Sequence, residues 1–596
     1  MVRFFSKTAP AEVPEIEAAP APADPEPALA ADEKKQEQLE MDGISSDNDT
    51  ISSDAQEGVK DVEAMAKVWS RSHLVLAYVL IWIIYFVNSM QEGTTVALAS
   101  YVTSSFSALP LTAASTVMSS IIGGLFKLPL AKIIDLWGRP QGYLLMVIFM
   151  TIGLVMMAAC QNVETYAAAQ VFYWVGYNGL VYVIGVFVSD TTHLRNRGLM
   201  FAYVTSPYII TAFINGRVAS AFLGGPGFKW SFGAFSIIVP FVSLSLWVLL
   251  VINYRKAKRQ GVLPVRAASG RTRWQSFVHY VLEFDIIGVL ILVAGLALFL
   301  LSFNIYSYQT NGWRQPIIIC FIVFGGLLII GFGVWEKWFA RVNFIPFELL
   351  RDRTCLGAFI VAGSVFVSFY LWDSYFYNFL LVVNGLSVVD ATYMLNIYSV
   401  GSCLWSFAVG WAIRVTGRFK WIATYFAIPL TILGAGLMIN FREPNVNIGY
   451  IVMCQIFIAL AGGGIVITEQ IAALAATSHQ YVAVVLAIEG MFSSVGGAIG
   501  STVATAIWTG IFPSKLAAYL PAEEQGNLTT IYGDINTQLG YPIGTPTRAA
   551  IVRAYGETQK LMLIAATAVL VIPWAAAFCW RNINVKNFKQ TKGNVI

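Results

Sequence analysis

Charged residues are scarce in this chain, and that scarcity excludes a soluble protein of its size. Asp, Glu, Lys and Arg make up only 12% of the 596 residues, whereas 57% are hydrophobic and the mean hydropathy is +0.65. This composition is typical of a polytopic membrane protein, which has little surface in water. The basic runs lie beside apolar segments, where they anchor helices at the membrane, so they indicate no nucleic-acid partner.

Metal ligands and catalytic groups are also sparse. The six cysteines lie in or at the ends of apolar segments, and no two have C-x-x-C spacing, which favours buried, unpaired thiols. No cluster of His, Cys and carboxylates has the spacing of a metal site. No nucleophile and base form a recognisable pair. The sequence therefore predicts neither an enzyme nor a resident metal or cofactor, and it offers no catalytic residue.

Long apolar runs are what the chain has in abundance. A helix needs about 20 apolar residues to cross the hydrocarbon core of a bilayer, so we expect an all-α membrane protein with fourteen crossings, called spans 1 to 14 below. The spans begin near Leu74, Leu111, Gly142, Tyr166, Gly198, Phe232, Ile286, Ile317, Leu356, Ala391, Trp421, Ile448, Val482 and Lys560.

The N-terminal residues 1–72 contain no apolar run. They hold 16 of the 34 acidic residues against 7 Lys and Arg, so we expect a disordered acidic tail without the features of a signal peptide. Lys and Arg concentrate on the side of the spans where this tail lies, for example in the loop 254–283. The positive-inside rule therefore predicts that both termini, including the tail 582–596, are cytoplasmic.

One short pattern occurs after span 2 and again after span 10. Asp135–Arg139 (DLWGR) and Arg414–Arg418 (RVTGR) share the order charge, two residues, Gly, Arg. Two copies predict two halves related as parallel repeats. Because the second copy follows span 10 and not span 8, two helices are inserted between the halves. We predict an N-terminal bundle over 73–253, two linker helices within 284–340 and a C-terminal bundle over 341–581.

The first copy resembles the G-x-x-x-D-R-x-G-R-R signature of the major facilitator superfamily, of which it keeps Asp135, Gly138 and Arg139. Longer phrases are similar to the fungal siderophore–iron transporters, a fourteen-helix branch of that superfamily. These phrases are SDTTHLRNRG at 189–198, PFELLRDRT at 346–354, YFYNFL at 375–380 and YPIGTP at 541–546. The resemblance implies a major facilitator fold in 6 + 2 + 6 order. Its likeness to the Mir-type transporters implies a substrate similar to ferric triacetylfusarinine C.

Ionisable residues inside the spans are candidates for a central cavity. A charge at the bilayer centre costs about 2.5–3.5 kcal/mol on insertion scales, so it usually faces a cavity or a partner. These candidates are Glu92, Lys127, Arg217, Asp373, Glu469 and Glu489. The superfamily resemblance implies that the spans which carry them line the cavity. For the two cations the alternative is that the side chain snorkels to the membrane surface, above all for Arg217 near the outer end of span 5.

Two stripes of polar residues sharpen that hypothesis. Each stripe has i, i+3, i+7 spacing on one face of a span, and spans 1 and 9 are repeat mates. The stripes are Tyr85, Asn88 and Glu92 on span 1, and Tyr370, Asp373 and Tyr377 on span 9. The resemblance implies that they bind a ferric hydroxamate, and ordinary aromatic packing is the alternative.

Charges at the cytoplasmic ends of the spans predict latches between moving parts. Asp135 ends span 2, where the helix dipole disfavours an acid, and Arg139 four residues on supplies a positive neighbour. Asp190 with Arg195 and Arg197 is a second candidate latch, against plain anchoring at the membrane surface. The remaining candidates of this set are Gly138, Arg414, Gly417 and Arg418.

The segment 513–559 is the one long loop predicted on the outer side, and long loops are functional or disordered. We interpret it as a packed lid with its two arginines exposed, and a flexible spacer is the alternative. Its candidate residues are Tyr532, Tyr541, Arg548, Arg553 and Tyr555. Asn527-Leu528-Thr529 is a predicted glycosylation sequon.

The predicted function is proton-coupled import of a ferric hydroxamate siderophore by alternating access. Iron travels only inside the chelate, and a buried acid carries the coupling proton. Export of drugs in exchange for protons is the alternative. Drug-exporting relatives carry G-P-x-x-G-G in span 5, whereas residues 206–211 read SPYIIT, which favours import. The expected partners are the siderophore, the proton and the lipid around a monomer in the plasma membrane, with possible cycling through vesicles.

Overall fold

The structure, a computed structural model, describes residues 68–105, 121–262, 272–283, 285–306, 309, 311–340, 347–477 and 481–586. Within these residues every regular element is a helix and none is a strand. Most of the predicted acidic tail, the start of span 2, part of the basic loop and the end of the C-terminal tail lie outside the described residues.

The helices follow the predicted spans in order. Those of spans 1 to 8 are Arg71–Ser105, Lys127–Leu136, Arg139–Ala159, Val163–Thr191, the broken span Leu194–Thr205, Pro207–Thr211 and Asn215–Gly224, then Phe228–Arg259, Ile286–Ile305 and Pro316–Trp338. Those of spans 9 to 14 are Arg353–Asp373 with Phe376–Val382, Val388–Thr416, Ile422–Ala427 with Ile428–Phe441, Ile448–Ala475, Val482–Tyr519, and Pro546–Val569 with Val571–Phe578.

Eleven of these helices are long and apolar enough to cross a membrane, and the bent pair of span 5 makes twelve. Helices suit this role because all their backbone groups are hydrogen-bonded internally. Span 10 has 29 residues but is not among the twelve, and span 2 is described only from residue 121. The all-helical fold is confirmed, whereas the count of fourteen and the cytoplasmic termini stay predictions.

The two halves meet along spans 2, 4, 5, 10 and 13. We call the end of the bundle that carries Asp135 and Asp190 the latch end, and the end that carries residues 520–545 the loop end. At the latch end the Tyr182 hydroxyl donates to the carbonyl oxygen of Ala483 (2.8 Å). Toward the loop end the Asn396 amide donates to the carbonyl oxygen of Ala212 (2.7 Å). The two halves therefore contact each other both at the latch end and toward the loop end.

The two linker helices lie at the edge of the C-terminal half. Span 7 contacts span 13, where the Tyr306 hydroxyl lies 2.9 Å from the Thr509 hydroxyl. Span 8 packs on span 7 and is the least buried of the apolar helices. Such an exposed, apolar helix faces lipid.

Three predicted boundaries differ from the structure. Span 13 continues through Pro513 to Tyr519 and span 14 begins at Pro546, so the outer loop is 520–545 and not 513–559. The predicted loop 254–283 contains the end of span 6 and a helix at Arg273–Glu283. Span 9 breaks at Ser374 and Tyr375.

Glycines allow some helices to approach each other closely. A Cβ atom on Gly153 of span 3 would overlap the backbone of Tyr173 in span 4, whereas a Cβ atom on Gly331 of span 8 would meet no atom within 4 Å. Small residues are typical of such contacts between membrane helices. We expect Gly153→Ala to destabilise the protein by about 1–3 kcal/mol through overpacking.

Thermal melting of the purified protein in detergent tests this expectation. Gly331→Ala is the matched control and should melt like the wild type. Equal melting temperatures for the two variants would contradict the close packing of spans 3 and 4.

Candidate functional site

Glu92 is held by two tyrosines that the sequence analysis missed. The hydroxyl of Tyr177 on span 4 donates to the Glu92 carboxylate at 2.6 Å, and that of Tyr208 on span 5 donates at 2.8 Å. The two phenol oxygens lie 2.5 Å apart. Tyr177 lies four residues after Tyr173, so helical spacing could have placed both on one face. The result is an acid that joins three helices through neutral donors.

The other members of the first stripe are buried next to this acid. Tyr85 is 6% exposed and Asn88 is 3% exposed. Neither polar atom of the Asn88 amide has a hydrogen-bond partner among the described residues. Because an unpaired buried amide is costly, Asn88 is suited to bind a polar group that enters the cavity.

The second stripe is not continuous. The first helix of span 9 ends at Asp373 and a new helix starts at Phe376, so the helix is interrupted between Asp373 and Tyr377. The place of Tyr377 on the same face as Tyr370 and Asp373 stays a prediction. Tyr370 packs against Gly497 of span 13 and lies near enough to Asp373 and Glu92 to interact with both electrostatically. It links the acids of the two halves.

A second group of charges crosses between the halves. Glu469 of span 12 and Glu489 of span 13 are nearly fully buried and interact electrostatically. The Lys127 ammonium of span 2 packs beside Gly490 and interacts with Glu489. One oxygen of Glu469 has no hydrogen-bond partner among the described residues. Lys127 thus interacts with Glu489, which in turn interacts with the second carboxylate, Glu469.

Arg217 does not join these groups. Its side chain is exposed and forms no ion pair with a described residue. It lies beyond the 43° bend that separates the last helix of span 5 from the preceding helices. The exposed side chain fits the alternative that Arg217 extends to the membrane surface, and a place for it in the cavity stays a prediction.

Arg139 joins the two candidate latches of the N-terminal half into one network. Its guanidinium lies 2.5 Å from the Asp135 carboxylate and 3.1 Å from that of Asp190, and all three side chains are at most 4% exposed. Gly138 precedes it with a φ of +104°, a conformation that other residues rarely adopt. Asp190 is therefore ion-paired with Arg139, and of the two arginines that follow it, Arg197 also interacts with it electrostatically.

The two arginines that follow Asp190 donate to different backbone carbonyl groups. Arg197 is fully buried and donates to the carbonyl oxygens of Ser189 (2.7 Å) and Thr192 (3.2 Å). Arg195 is exposed and donates to the carbonyl oxygen of Arg414 (3.1 Å), which lies in the other half. Arg195 is thus the member of the set that connects the halves.

The repeat of the pattern in the C-terminal half holds no equivalent ion pair. Arg414 and Arg418 are exposed and form none with a described residue, because an arginine replaces the acid at the first position. Gly417 keeps the left-handed turn with a φ of +75°. The buried ion pair of this half is instead Asp352 with Arg581 (2.8 Å), which the sequence analysis missed.

The loop 520–545 is packed and helical. It contains the helices Ala522–Asn527, Leu528–Gly533 and Ile535–Gly540. The Tyr541 hydroxyl donates to Glu524 (2.9 Å), and this hydrogen bond raises the pKa of Tyr541. Tyr532 is half-buried and Asn527 is exposed.

Of the two arginines near this loop, Arg548 is buried, contrary to the expectation of exposure, and Arg553 is exposed as expected. Arg548 is 3% exposed and donates to the carbonyl oxygen of Val382 at 2.8 and 3.1 Å. Arg553 is exposed and pairs with Glu557 (3.3 Å). Tyr555 lies inside the helix of span 14 and is buried, not in the loop. Arg548 thus ties span 14 to span 9.

The geometry is that of two helical halves around buried acids, and comparison with known proteins gives the family. The Major Facilitator Superfamily model matches residues 81–350. "MFS siderochrome iron transporter 1" of Ajellomyces capsulatus is 60% identical over 548 residues, which cover 92% of this chain and 93% of the relative. The chain belongs to the siderochrome iron transporters of the major facilitator superfamily.

Two further relatives agree with this assignment. "Siderochrome iron transporter 2" of Aspergillus fumigatus is 44% identical and covers 92% of this chain and 90% of the relative. "Siderophore iron transporter mirB" of Emericella nidulans is 42% identical and covers 92% and 91%. Members of this superfamily are multi-pass membrane transporters and not enzymes. In the described part of this transporter, no group of three or more His, Cys, Asp or Glu could hold a metal ion.

The latch network predicts a large effect of Arg139. Arg139→Gln removes the cation that pairs with both Asp135 and Asp190, and breaking a buried pair in this way costs about 3–5 kcal/mol. We expect a clearly lower melting temperature and a lower yield of folded transporter. Arg418→Gln, which changes an exposed arginine of the repeated pattern, should behave like the wild type. Similar melting of both variants would contradict a structural role for the network.

Proposed function

We propose that this transporter imports ferric hydroxamate siderophores, with ferric triacetylfusarinine C as the best candidate, and that protons moving inward drive the import. The names of the relatives support siderophore transport, and the buried acids support the proton. The observation that supports the coupling is that acids of both halves are buried with few cations beside them. Glu92 accepts hydrogen bonds from two phenols, and of the neighbouring acids Glu469 and Glu489 only Glu489 interacts with Lys127.

A proton resolves this shortage of positive charge. A carboxylate inside a membrane protein is costly without a cation, and a bound proton removes its charge. Glu92 can take a proton and keep its contacts, because a protonated carboxyl still accepts from Tyr177 and Tyr208. One proton on Glu469 or Glu489 would leave a single carboxylate for Lys127. Protons bound to these acids therefore stabilise the state in which the acids are buried.

The polar lining suits a bulky neutral chelate. Asn88 offers an unpaired amide, and Tyr85 and Tyr370 offer hydroxyls from opposite halves. Such groups donate to carbonyl and hydroxamate oxygens without replacing them at the iron. Iron is then substrate inside its chelate.

Alternating access requires the contacts between the halves to break in turn. In the proposed topology the latch end is cytoplasmic, and Tyr182 with Ala483 and Arg195 with Arg414 close it. Opening toward the cytoplasm separates these pairs. Because the buried Arg139 network lies within one half, it moves as a rigid unit during this step. We place the transporter as a monomer in the plasma membrane.

Uptake by proteoliposomes tests the proposal. Ferric triacetylfusarinine C with radioactive iron should accumulate when protons flow inward, and a protonophore should abolish the accumulation. Uptake that is independent of the gradient would overturn proton coupling. Accumulation driven only by an outward proton flow would favour the exchange mechanism of a drug exporter.

The cavity acids predict where the coupling resides. We expect at least one of the amide variants to lose the effect of pH on uptake by about fivefold or more, the lower bound of a coupling free energy of about 1–3 kcal/mol. The variants are Glu92→Gln, Asp373→Asn, Glu469→Gln and Glu489→Gln. Glu523→Gln, which changes an exposed acid of the outer loop, is the control. Wild-type pH dependence in all four would rule out a cavity carboxylate as the proton carrier.

The loop 520–545 is proposed to help capture the chelate at the outer mouth. Tyr541 is half-buried there and presents a flat surface for it. We expect Tyr541→Ala to raise the half-saturating concentration about fivefold, equivalent to about 1 kcal/mol of lost aromatic contact. Thr529→Ala removes the proposed glycosylation sequon and should leave the half-saturating concentration unchanged. Unaltered affinity of Tyr541→Ala at normal surface expression would favour a passive spacer.

A further inference from the structure

Arg442 is a buried cation at the break of span 9. It follows the last helix of span 11, is 0% exposed, and donates through Nη1 to the carbonyl oxygen of Trp372 (2.6 Å). Its guanidinium carbon lies 4.1 Å from the ring centre of Phe376 and 5.3 Å from that of Phe379. Arg442 therefore contacts span 9 on both sides of Ser374 and Tyr375.

The remaining donors of Arg442 are unpaired. Nε and Nη2 have no hydrogen-bond partner among the described residues, although both are buried. Contact with aromatic rings attracts a guanidinium but leaves these two N–H groups unsatisfied. Unsatisfied N–H groups on a buried cation are costly, so a state of the protein that supplies an acceptor for them would be favoured.

Asp373 is the acid that can supply this acceptor. It is the residue after Trp372 and interacts electrostatically with Arg442. The nearby Glu443 is already paired with Lys560 (2.6 Å). The other titratable groups near Asp373 are the phenols of Tyr370 and Tyr398. Among the described residues, only Asp373 is both close to Arg442 and free of an ion pair.

The outer segment, defined as Phe376–Val382, would move if the two groups met. A second side chain supports the break, because the Gln559 amide donates to the carbonyl oxygen of Tyr375 (3.1 Å). Arg548 donates to Val382 at the far end of the segment, and the loop helix Ile535–Gly540 packs on it. The outer segment is therefore joined to the outer loop and, through Arg548, to the start of span 14, and it meets the rest of span 9 at Ser374 and Tyr375.

We propose that Asp373 and Arg442 form an ion pair in another state of the transport cycle, and that span 9 bends at Ser374 and Tyr375 to allow it. This bend moves the outer segment together with the loop 520–545 at the outer mouth. A proton on Asp373 removes the negative charge and prevents the pairing. Arg442 is thus a positioning residue that makes the outer mouth respond to the charge of Asp373.

The first test needs no substrate. Asn378 lies in the outer segment and is half-buried. The probe is Asn378→Cys in a chain whose exposed Cys320 and Cys579 are changed to Ser. Its labelling rate by a membrane-impermeant maleimide is divided by that of Gln161→Cys, which corrects for thiol reactivity because Gln161 is exposed between spans 3 and 4, outside the outer segment and the outer loop. We expect this ratio to change about fivefold between acidic and neutral pH, within the range of conformational coupling.

Variants of the two charges decide what causes this change. Asp373→Asn and Arg442→Gln should each abolish the pH response, and Arg442→Lys, which keeps the charge, should retain part of it. If Arg442→Gln fails to fold, the labelling ratios of Asp373→Asn and Arg442→Lys are sufficient to test the proposal. A ratio that does not respond to pH in the parent, or a response that survives Asp373→Asn, would overturn the proposal.

The second test rests on the proposed import and uses ferric triacetylfusarinine C. Asp373→Asn and Arg442→Gln should each lower the maximal uptake rate about tenfold, and the double variant should be no worse than the poorer single variant, because coupled residues are not additive. Additive losses would indicate independent roles and contradict the pairing. A normal labelling result without any uptake by the wild type would refute the proposed substrate and leave the bend of span 9 intact.

Discussion

Buried charge without enough opposite charge is the constraint on which the rest of this structure depends. In the N-terminal half, Arg139 serves two acids at once. Between the halves, Lys127 interacts with Glu489, which also interacts with the nearby acid Glu469. At each such site the excess negative charge can be removed by a proton on the acid or by a movement that brings in another partner. A proton-coupled transporter needs both kinds of step.

The position of each imbalance indicates its role. The Arg139 network is almost fully buried within one half and stabilises that half. Lys127 reaches from one half to the other, so its pairing depends on how the halves are arranged. Arg442 contacts both helices of a broken span, where a change of partner alters the bend. The need to pair buried charge thus stabilises the fold at the Arg139 network and favours movement at Lys127 and Arg442.

The sequence predicted the membrane class, the order of the helices and the family, because apolar runs and short motifs are local features. It did not predict ion-pair partners such as Asp190 with Arg139 or Asp352 with Arg581, which are distant in the chain. Pro513 falsely indicated a helix end, since proline is tolerated inside span 13. Thr545 and Pro546 carried a usable signal for the start of span 14, because threonine caps a helix and proline suits its first turn.

The central claim is that the shortage of cations around the cavity acids couples the chelate to protons. The most direct measurement is the internal pH of proteoliposomes that contain a trapped pH-sensitive dye, started with no proton gradient. Addition of ferric triacetylfusarinine C outside should acidify the interior as the chelate enters, and Glu92→Gln or another cavity variant should abolish this acidification. Entry of the chelate with no change of internal pH, or with a rise, would contradict the account.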